Sequence, residues 1–477
     1  MKHLRLLIPL ASACALLAVI GAVAGRELYE RIQTRDLRGS AAEEFLPDAN
    51  PADLRDARPA RPSLTPPAKP RARPKPKPKP RRPGRLDGIE WWPTYGYDDA
   101  RTHVSVSYGH RPPFRQAWRF RAAHYLEFPP AVAYGRLYVP NQRGRFFAVN
   151  TATGKIIWQK RFRRCIAASP VVQDGVVYQA LMHRLPCPKW ARSSPGYVVA
   201  MDARTGRELW SFRAGVVESS PVLVDGRLYF GSWDHHLYCV RARDGKLLWR
   251  FRADDELNSA PAYAGGTIYI GSDAGRIWAI DAKTGARRWN NRSYSGQYFY
   301  ATPTVAYGRV FVGNTDGTVY AFGATTGRLL WARHVGTYVY TAAAVWKRRV
   351  LVGTYDGHVL ALDAATGDTR WRVSAPAAVH GAPTVLDGLV YFASCGTCGS
   401  HGSRYAKRGP FETFALDART GRHVWSFPDG RYSPIVADGK RVYLVGSTSV
   451  YALVERAKRS PAASTRATTR KTKGQSR

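Results

Sequence analysis

The chain repeats a short pattern, Gly-x-x-x-Trp, seven times, and this repeat constrains its fold more than any other feature. Successive glycines are 52, 39, 40, 42, 40 and 54 residues apart. Each unit also contains a small residue before Pro, two apolar strands around an Asp-Gly or Tyr-Gly turn, and a third strand. Four short strands in a period near 40 are typical of a propeller blade. The pairs are Gly154/Trp158, Gly206/Trp210, Gly245/Trp249, Gly285/Trp289, Gly327/Trp331, Gly367/Trp371 and Gly421/Trp425.

The unit around residues 281–289 shows how the sequence encodes a blade. Gly285 supplies the left-handed residue that the turn after Asp281 requires, and the Asp281 side chain can hydrogen-bond the turn backbone. Trp289 ends the outer strand, where we expect it to fill the gap to the next blade. A small residue occupies one fixed place in every third strand. Cys239 takes that place in one unit, which predicts a buried, inert thiol.

The two ends of the repeat region complement each other. The stretch Trp118–Ala122 matches the outer-strand stretch Trp249–Ala253, yet no three strands precede it. After Trp425, residues 432–454 supply three strands and no outer strand. We therefore predict that the strand at Trp118 completes the last blade and closes the ring, which removes exposed sheet edges. The predicted fold class is an all-β, eight-bladed propeller over residues 88–455.

The units resemble the pyrroloquinoline-quinone (PQQ) repeat in the stretches AMDARTGRELW, AIDAKTGARRW and ALDAATGDTRW. The opening Trp91-Trp92-Pro93-Thr94-Tyr95-Gly96, with Ala100-Arg101, is also similar to the lead-in of that superfamily. The resemblance implies an eight-bladed propeller like those of quinoprotein dehydrogenases. It equally implies likeness to non-catalytic relatives, such as the propeller lipoprotein of the outer-membrane barrel-assembly machine. Because the repeat is structural, the resemblance leaves the function open.

We expect eight positions of the repeat to meet at one mouth of the central channel. Each lies three residues before the recurring Pro, or at the equivalent place, where an innermost strand begins near the axis. A convergent polar set is typical of a small-molecule or ion site, although polar residues also line any hydrated channel. In chain order the positions are Glu127, Ala167, Glu218, Asn258, Tyr300, Tyr340, His380 and Arg431.

The resemblance implies that PQQ and calcium are candidate cofactors. Quinoprotein dehydrogenases hold both with Glu, Asn and Asp near this mouth, and Glu218 and Asn258 are the matching calcium candidates. The following blade offers Tyr300 in place of the Asp, and the sequence contains neither a vicinal Cys pair nor a Cys-x-x-Cys-His haem motif. We therefore assign no catalytic residue and favour a non-catalytic binding or scaffold module. A PQQ- and calcium-dependent dehydrogenase and a ligand-sensing ectodomain remain alternatives.

The amino terminus carries an apolar segment. Residues 6–25 contain no charged side chain and are long enough to span a bilayer as a helix. Ala22-Val23-Ala24 also offers a signal-cleavage site. We expect residues 1–25 to be a signal anchor in the cell membrane, or a cleaved secretion signal, that places the propeller outside the cytoplasm. Residues 26–57 then form a juxtamembrane segment.

Positive charge is concentrated in two segments outside the repeats. The 477 residues carry 72 Lys and Arg against 35 Asp and Glu, a formal net charge of +37. Residues 58–87 alternate Pro with Lys or Arg, which predicts an extended spacer that also suits anionic wall polymer or lipid. Residues 456–477 form a basic tail with no apolar period, which predicts disorder. We expect a monomer whose partner is an envelope protein or such a polymer, and not nucleic acid.

The cysteines allow a geometric prediction. Cys165 lies in the loop that leads into the second blade, and Cys187 lies in the long loop between that blade's second and third strands. Both loops belong to the mouth face, so we predict a disulfide between them. Cys395 and Cys398 share the matching insertion of the seventh blade, and we predict that they pair with each other rather than bind zinc. The other two cysteines stay unpaired.

Overall fold

All regular structure in the described residues is β-sheet. The computed structural model describes residues 36–46, 49–50, 52, 86, 88–187, 194–398, 406–432 and 434–456. Within these residues there is no helix that is long and apolar enough to cross a membrane. The predicted amino-terminal helix, nearly all of the Pro/Lys/Arg segment and the basic tail after residue 456 lie outside the described residues.

The strands form eight sheets, which are the predicted blades. Two strands come before the first complete blade: β1 (Glu90–Trp92) and β2 (Phe114–Arg121). Blade 1 contains β3 (Ala131–Ala133), β4 (Arg136–Pro140), β5 (Arg145–Asn150) and β6 (Ile156–Arg161). Blade 2 contains β7 (Val171–Gln173), β8 (Val176–Leu181), β9 (Gly196–Asp202) and β10 (Glu208–Ala214). Blade 3 contains β11 (Val222–Val224), β12 (Arg227–Gly231), β13 (His236–Arg241) and β14 (Leu247–Arg252).

The remaining blades follow the same order from the innermost to the outermost strand. Blade 4 contains β15 (Ala262–Ala264), β16 (Thr267–Gly271), β17 (Arg276–Asp281) and β18 (Arg287–Arg292). Blade 5 contains β19 (Thr304–Ala306), β20 (Arg309–Gly313), β21 (Thr318–Gly323) and β22 (Leu329–His334). Blade 6 contains β23 (Ala344–Trp346), β24 (Arg349–Gly353), β25 (His358–Asp363) and β26 (Thr369–Ser374). Blade 7 contains β27 (Thr384–Leu386), β28 (Leu389–Ser394), β29 (Glu412–Asp417) and β30 (His423–Phe427).

The ring closes as the sequence predicts. Blade 8 takes its outer strand, β2, from the beginning of the propeller. Its three inner strands come from the end: β31 (Ile435–Ala437), β32 (Val442–Val445) and β33 (Ser449–Glu455). Strand β2 pairs antiparallel with β33, and Trp118 lies opposite Ala452. Because the first and last parts of the propeller share one sheet, separating the ends requires breaking a whole strand ladder.

Successive blades are joined by the Trp of one outer strand and the Gly of the next blade. The indole Nε1 of Trp289 in blade 4 donates to the Ala324 carbonyl of blade 5 at 2.9 Å. Its ring lies over Gly327, where an added Cβ would stand 2.5 Å from it. Gly327 also has a φ of +70°. The repeat glycine is therefore required both by its left-handed turn and by the neighbouring ring, and the expectation that Trp fills the gap is confirmed.

The lead-in before β2 crosses the channel at the end opposite the mouth, which we call the bottom. Strand β1 extends blade 1 as a fifth strand by pairing with β3. The residues after it hydrogen-bond the innermost strands of other blades, as Val172 N–H donates to Pro93 O at 2.8 Å and Tyr263 N–H donates to Asp99 O at 2.7 Å. The lead-in thereby closes the channel from below and supplies the base of the candidate site.

A second segment, residues 36–52 where described, lies on the bottom of blades 5 and 6. The sequence assigned it only to a juxtamembrane region. Its Leu37 forms an isolated bridge with Ala332 in the outer strand of blade 5, and its Asn50 is completely buried. We call this segment the strap. Its contacts are described below.

Candidate binding site at the channel mouth

Six of the eight predicted mouth positions converge on one partly open cavity of about 50 Å³. Tyr95 of the lead-in reaches it from the bottom side, and Tyr432 of blade 8 completes one wall. Pockets for small organic ligands usually enclose ~300–1,000 Å³, so this cavity has room for a few waters or a small ion. Ala167 and Arg431 lie outside the lining. The predicted positions that line the cavity are Glu127, Glu218, Asn258, Tyr300, Tyr340 and His380.

Aromatic rings fill one side of the mouth. Tyr300 and Tyr340 stack with centroids 4.3 Å apart, and His380 lies 4.6 Å from Tyr340 at a tilt of 30°. Tyr432 meets His380 edge-on at 4.9 Å, and the Tyr355 hydroxyl hydrogen-bonds His380 Nδ1 at 2.5 Å. Burial raises the pKa of the Tyr300, Tyr340 and Tyr355 hydroxyls well above their usual range. These three tyrosine hydroxyls are therefore neutral at physiological pH, and their rings occupy one side of the mouth.

Acidic and amide groups form the other side. The Tyr300 hydroxyl donates to Glu218 Oε1 at 2.8 Å, and Asn258 Nδ2 donates to Asp273 Oδ2 at 2.7 Å. The second oxygen of each acceptor group, Glu218 Oε2 and Asp273 Oδ1, is buried without a hydrogen-bond partner among the described residues, and so is Asn258 Oδ1. Buried oxygens without donors are costly, so these three atoms are suited to accept from a small cationic or hydrogen-bonding guest.

The carboxyl of Asp273, which accepts from Asn258 beside the mouth, has a raised pKa. Burial raises the pKa of its carboxyl to about 7, the Asn258 hydrogen bond lowers it, and the nearby carboxylates of Glu256, Asp255 and Glu218 raise it further. Asp273 is thus divided between its protonated and ionised forms near neutral pH. A cation bound at the mouth would favour the ionised form.

Sequence reasoning missed Asp273 and Tyr355 because it considered only the loops that lead into first strands. Both residues follow the end of a second strand, two positions after Gly271 and Gly353. The Tyr355 N–H donates to the Thr337 carbonyl of the leading loop at 3.0 Å, which ties the two loops together. In blades 3 to 6, where a Gly ends the second strand, the position two after that Gly is therefore a signal for further mouth residues.

Both predicted disulfides are present on the mouth face. Cys165 and Cys187 are bonded with their Cα atoms 5.7 Å apart, and Cys395 and Cys398 are bonded with theirs 5.4 Å apart. Cys239 is buried and unpaired, as expected. The bonded Cys395 and Cys398 leave no thiolate pair for zinc. Cys14, also expected to be unpaired, lies outside the described residues.

A basic groove of about 980 Å³ runs along the rim beside blade 1. Exposed Arg143, Arg145 and Arg161 line it, together with the stapled loop at Cys187. Arg431 lies near this rim, with its guanidinium 4.2 Å from the centroid of the lining residue Tyr125. The predicted mouth cation therefore lies outside the cavity, because stacking on several aromatic faces offsets the cost of partly removing it from water.

The cavity has oxygen ligands for one of the implied cofactors, calcium, but no room for the other, PQQ. The unpartnered oxygens of Glu218 and Asn258 line the cavity and suit an oxygen-preferring cation such as calcium, whereas Asp273 is outside the lining. Among the described residues, however, no group of three or more His, Cys, Asp or Glu side chains is placed to hold a metal. PQQ does not fit, because the stack of Tyr300 and Tyr340 leaves about 50 Å³. We derive no chemistry through a quinone.

Eight closed blades with the repeat Trp and Gly define the class of this protein as a PQQ-like propeller. The family model described as "Outer membrane protein assembly factor BamB" matches residues 114–182, 194–337 and 315–458, and the chain belongs to this family.

Individual relatives match shorter stretches. The "Outer membrane protein assembly factor BamB" of Yersinia pestis is 32% identical over 135 residues, which cover 26% of this chain and 31% of the relative. The "Quinohemoprotein alcohol dehydrogenase" of Comamonas testosteroni is 30% identical over 147 residues, covering 27% of this chain and 19% of the relative. The matched region thus spans less than a third of either relative's length.

Solved structures show the same fold over more of the chain. BamB from Moraxella catarrhalis superposes with a TM-score of 0.57 at 18% identity, covering 72% of this chain and 99% of that one. The quinohemoprotein alcohol dehydrogenase from Comamonas testosteroni superposes with a TM-score of 0.59 at 14% identity, covering 77% of this chain and 81% of that one. A fold shared by an assembly factor and an enzyme does not choose between their functions.

Proposed function

We propose that this protein is a non-catalytic binding or scaffold module of the cell envelope, tethered to the membrane on its extracytoplasmic side. One observation carries the proposal: the mouth, where a quinoprotein enzyme would hold its cofactor, is filled by Tyr300, Tyr340 and His380. The remaining space suits waters or an ion. The family supports the proposal, since its description is that of an outer-membrane protein assembly factor.

The partner surface that we propose is the basic groove on the rim. Arg143, Arg145 and Arg161 are exposed side by side there, and the Cys165–Cys187 bond holds the loop that forms its wall. A rigid, concave, cationic surface fits an acidic segment of an envelope protein. Anionic wall polymer or lipid carries the same negative charge as an acidic protein segment, but it has no side chains that could match the shape of the groove.

Crosslinking in intact envelopes tests the partner. Arg143→Glu/Arg161→Glu should remove a specific protein crosslink by reversing the charge of the groove. The matched control Arg213→Glu/Arg252→Glu makes the same charge change at exposed outer-strand positions of blades 2 and 3 and should leave the crosslink. Equal loss in both variants, or binding of anionic liposomes or wall polymer with no protein crosslink, would contradict a protein-specific groove.

The second candidate is a calcium-dependent quinoprotein dehydrogenase, and the unpartnered oxygens of Glu218, Asn258 and Asp273 favour it. Purified full-length protein should nevertheless show no dye reduction with alcohols or sugars when PQQ and calcium are supplied. Dye reduction that requires both additions and is lost in Glu218→Ala would overturn the scaffold proposal.

A further inference from the structure

The strap is bound to the propeller by backbone hydrogen bonds along its length. Leu37 N–H donates to Ala332 O at 2.9 Å, and Ala332 N–H donates back to Leu37 O at 3.0 Å. Further along, Leu46 N–H donates to Tyr307 O at 3.0 Å, and Tyr307 N–H donates to Ala49 O at 3.2 Å. The strap therefore runs from the outer strand of blade 5 inwards across the bottom of blades 5 and 6.

Side chains of the propeller that are buried beneath the strap make specific contacts with it. Arg309 is completely buried, and its Nη2 donates to the carbonyls of Ser40 at 2.8 Å and Glu43 at 2.6 Å. Phe45 of the strap stacks on Tyr307 at 5.2 Å, with the Arg309 guanidinium 5.1 Å from its ring. If the strap left, the Arg309 guanidinium would exchange these two acceptors and its aromatic cover for water, so the strap contributes the net value of these contacts.

The sequence of blade 5 departs from the repeat where the strap binds. In the turns of blades 2 and 4, Asp202 and Asp281 accept a hydrogen bond from the Thr three residues on, at 2.8 and 2.9 Å. Blade 5 has Gly323 in that place, and its Thr326 hydroxyl donates instead to the carboxylate of Glu44 in the strap, at 2.8 and 2.9 Å. A Cβ on Gly323 would overlap Glu44 Oε2. The strap thus supplies the carboxylate that its blade lacks.

The outer strand of blade 5 is also covered by the strap, unlike the equivalent strands of other blades. Trp331 and Ala332 in β22 are completely buried. The equivalent strands β14 and β26 expose alternate residues to solvent along their length. Gly39 of the strap allows this contact, because a Cβ there would stand 2.7 Å from the Trp331 ring. The apolar outer strand of blade 5 therefore packs specifically against the strap, and Gly39 allows the close approach.

We propose that the strap, and not the Pro/Lys/Arg segment, is what holds the propeller to the amino-terminal part of the chain. Residues 53–85 then connect two points that are both fixed on the bottom face, Ala52 and Leu86. The connection between the propeller and the amino-terminal part of the chain then depends on the contacts of the strap and not on residues 53–85. The chain before residue 36 leaves at the outer edge of blade 5. Residues 26–35 can reach at most about 35 Å, so that edge faces whatever anchors the amino terminus.

This inference goes beyond the proposed function, because it holds whether or not the propeller is a scaffold. The test is to introduce a specific protease site within residues 62–67 of the full-length chain and an affinity tag at its amino terminus. After complete cleavage under native conditions, the propeller should remain bound to the tagged fragment through the contacts of the strap. Because neither disulfide links the two pieces, retention would report these noncovalent contacts alone. Release of the propeller on cleavage, as a simple spacer requires, would overturn the proposal.

A variant that restores the repeat sharpens the test. Gly323→Asp gives blade 5 the aspartate that blades 2 and 4 have, at a residue outside the left-handed region, so the blade keeps its turn while Glu44 is displaced. The cleaved Gly323→Asp protein should release its propeller at least about tenfold faster, the factor that corresponds to ~1.4 kcal/mol. Asn150→Asp, the same change of turn residue towards Asp in blade 1, should behave like the parent.

Phe45→Ala provides a variant that leaves the propeller sequence intact. It removes the ring stacked on Tyr307 from the strap alone and should also speed release. Retention that is equally tight in Gly323→Asp and Phe45→Ala would show that the described contacts do not hold the pieces together, and would contradict the proposal.

Discussion

The two ends of the central channel are built from the same eight innermost strands, yet they are filled in opposite ways. At the bottom, the lead-in inserts Arg101, which is completely buried and hydrogen-bonds Thr94 Oγ1 at 2.7 Å and the carbonyls of Pro221 and Pro261 at 2.9 and 3.0 Å. At the mouth, oxygens of Glu218 and Asn258 are buried without partners among the described residues. The bottom is a structural seal, and the mouth keeps capacity to bind.

In this closed propeller, the bottom face therefore contributes mainly to stability and the mouth face mainly to binding. Burial of Arg101 lowers the pKa of its guanidinium to about 10, and Asp99, Tyr95 and Asp98 oppose that shift. The cation stays charged at physiological pH and organises the carbonyls around it. Because the seal keeps the innermost strands in place from below, the mouth can tolerate unsatisfied groups that would otherwise weaken the fold.

The largest expected effect contrasts one arginine from each end. Arg101→Leu should lower the free energy of unfolding by ~3–5 kcal/mol, because it leaves several buried carbonyls without a donor. Arg431→Leu, on the rim, should cost less, ~1–2 kcal/mol, because this half-buried guanidinium stacks on aromatic rings but donates to no buried carbonyl cluster. Denaturant unfolding followed by tryptophan fluorescence measures both. Similar losses for the two variants would show that the bottom is not the structural seal.

A second pair of variants separates turn strain from blade packing on the bottom face. Gly285 and Gly226 have φ values of +77° and +70°. A Cβ on Gly285 would stand 2.7 Å from the Trp249 ring, whereas no described atom lies within 4 Å of a Cβ on Gly226. Gly285→Ala should cost ~2–4 kcal/mol and Gly226→Ala ~1–2 kcal/mol, since both strain the backbone but only the first overpacks. In thermal unfolding, Gly285→Ala should have the lower melting temperature of the two variants. Equal melting temperatures would contradict a packing role for the repeat glycine.

The smallest expected effect is a pH dependence of opposite sign at the two faces. The folded pKa of Asp273, about 7, lies above its ordinary value of 3.8, so its contribution to stability is complete below pH 3.8 and is lost as pH rises through 7. Asp273→Asn should flatten that fall between pH 4 and 8. At the bottom, Arg288 and Thr284 hold the pKa of Asp281 well below its usual range. Its contribution is present above pH 3.8 and is lost in acid, so Asp281→Asn should be destabilising at neutral pH.

Melting temperatures measured for both variants across pH 3 to 8 check these signs. If Asp273→Asn and Asp281→Asn change the pH profile in the same direction, the electrostatic contrast between mouth and bottom is wrong. If Asp273→Asn leaves the profile unchanged, its carboxyl is not held in the protonated form by burial.

Many of the residues that line the mouth could be predicted from the sequence, because equivalent positions of the repeat lie around the channel in a ring. Counting three residues before the Pro found Glu218, Asn258 and Tyr300 without any knowledge of the structure. The same counting placed Arg431 in the cavity, where Tyr432 lies instead, because blade 8 is assembled from two distant stretches and its leading loop differs. That Asn258 would meet Asp273 depended on how two loops pack, which no spacing rule encodes.

The amino-acid sequence by itself determined the number of blades, the way the ring closes and both disulfides. The number of blades depends on contacts at fixed offsets between neighbouring units, such as Trp289 on Gly327. The closure and the disulfides follow from where the incomplete blade and the cysteines fall along the repeat. Only the tertiary structure decided what fills the channel and what covers blade 5. Arg101 is satisfied by carbonyls more than a hundred residues away, and Glu44 completes a turn at Thr326. These segments carry no sequence period, so their partners depend on the shape and the hydrogen-bonding groups that the folded ring presents to them.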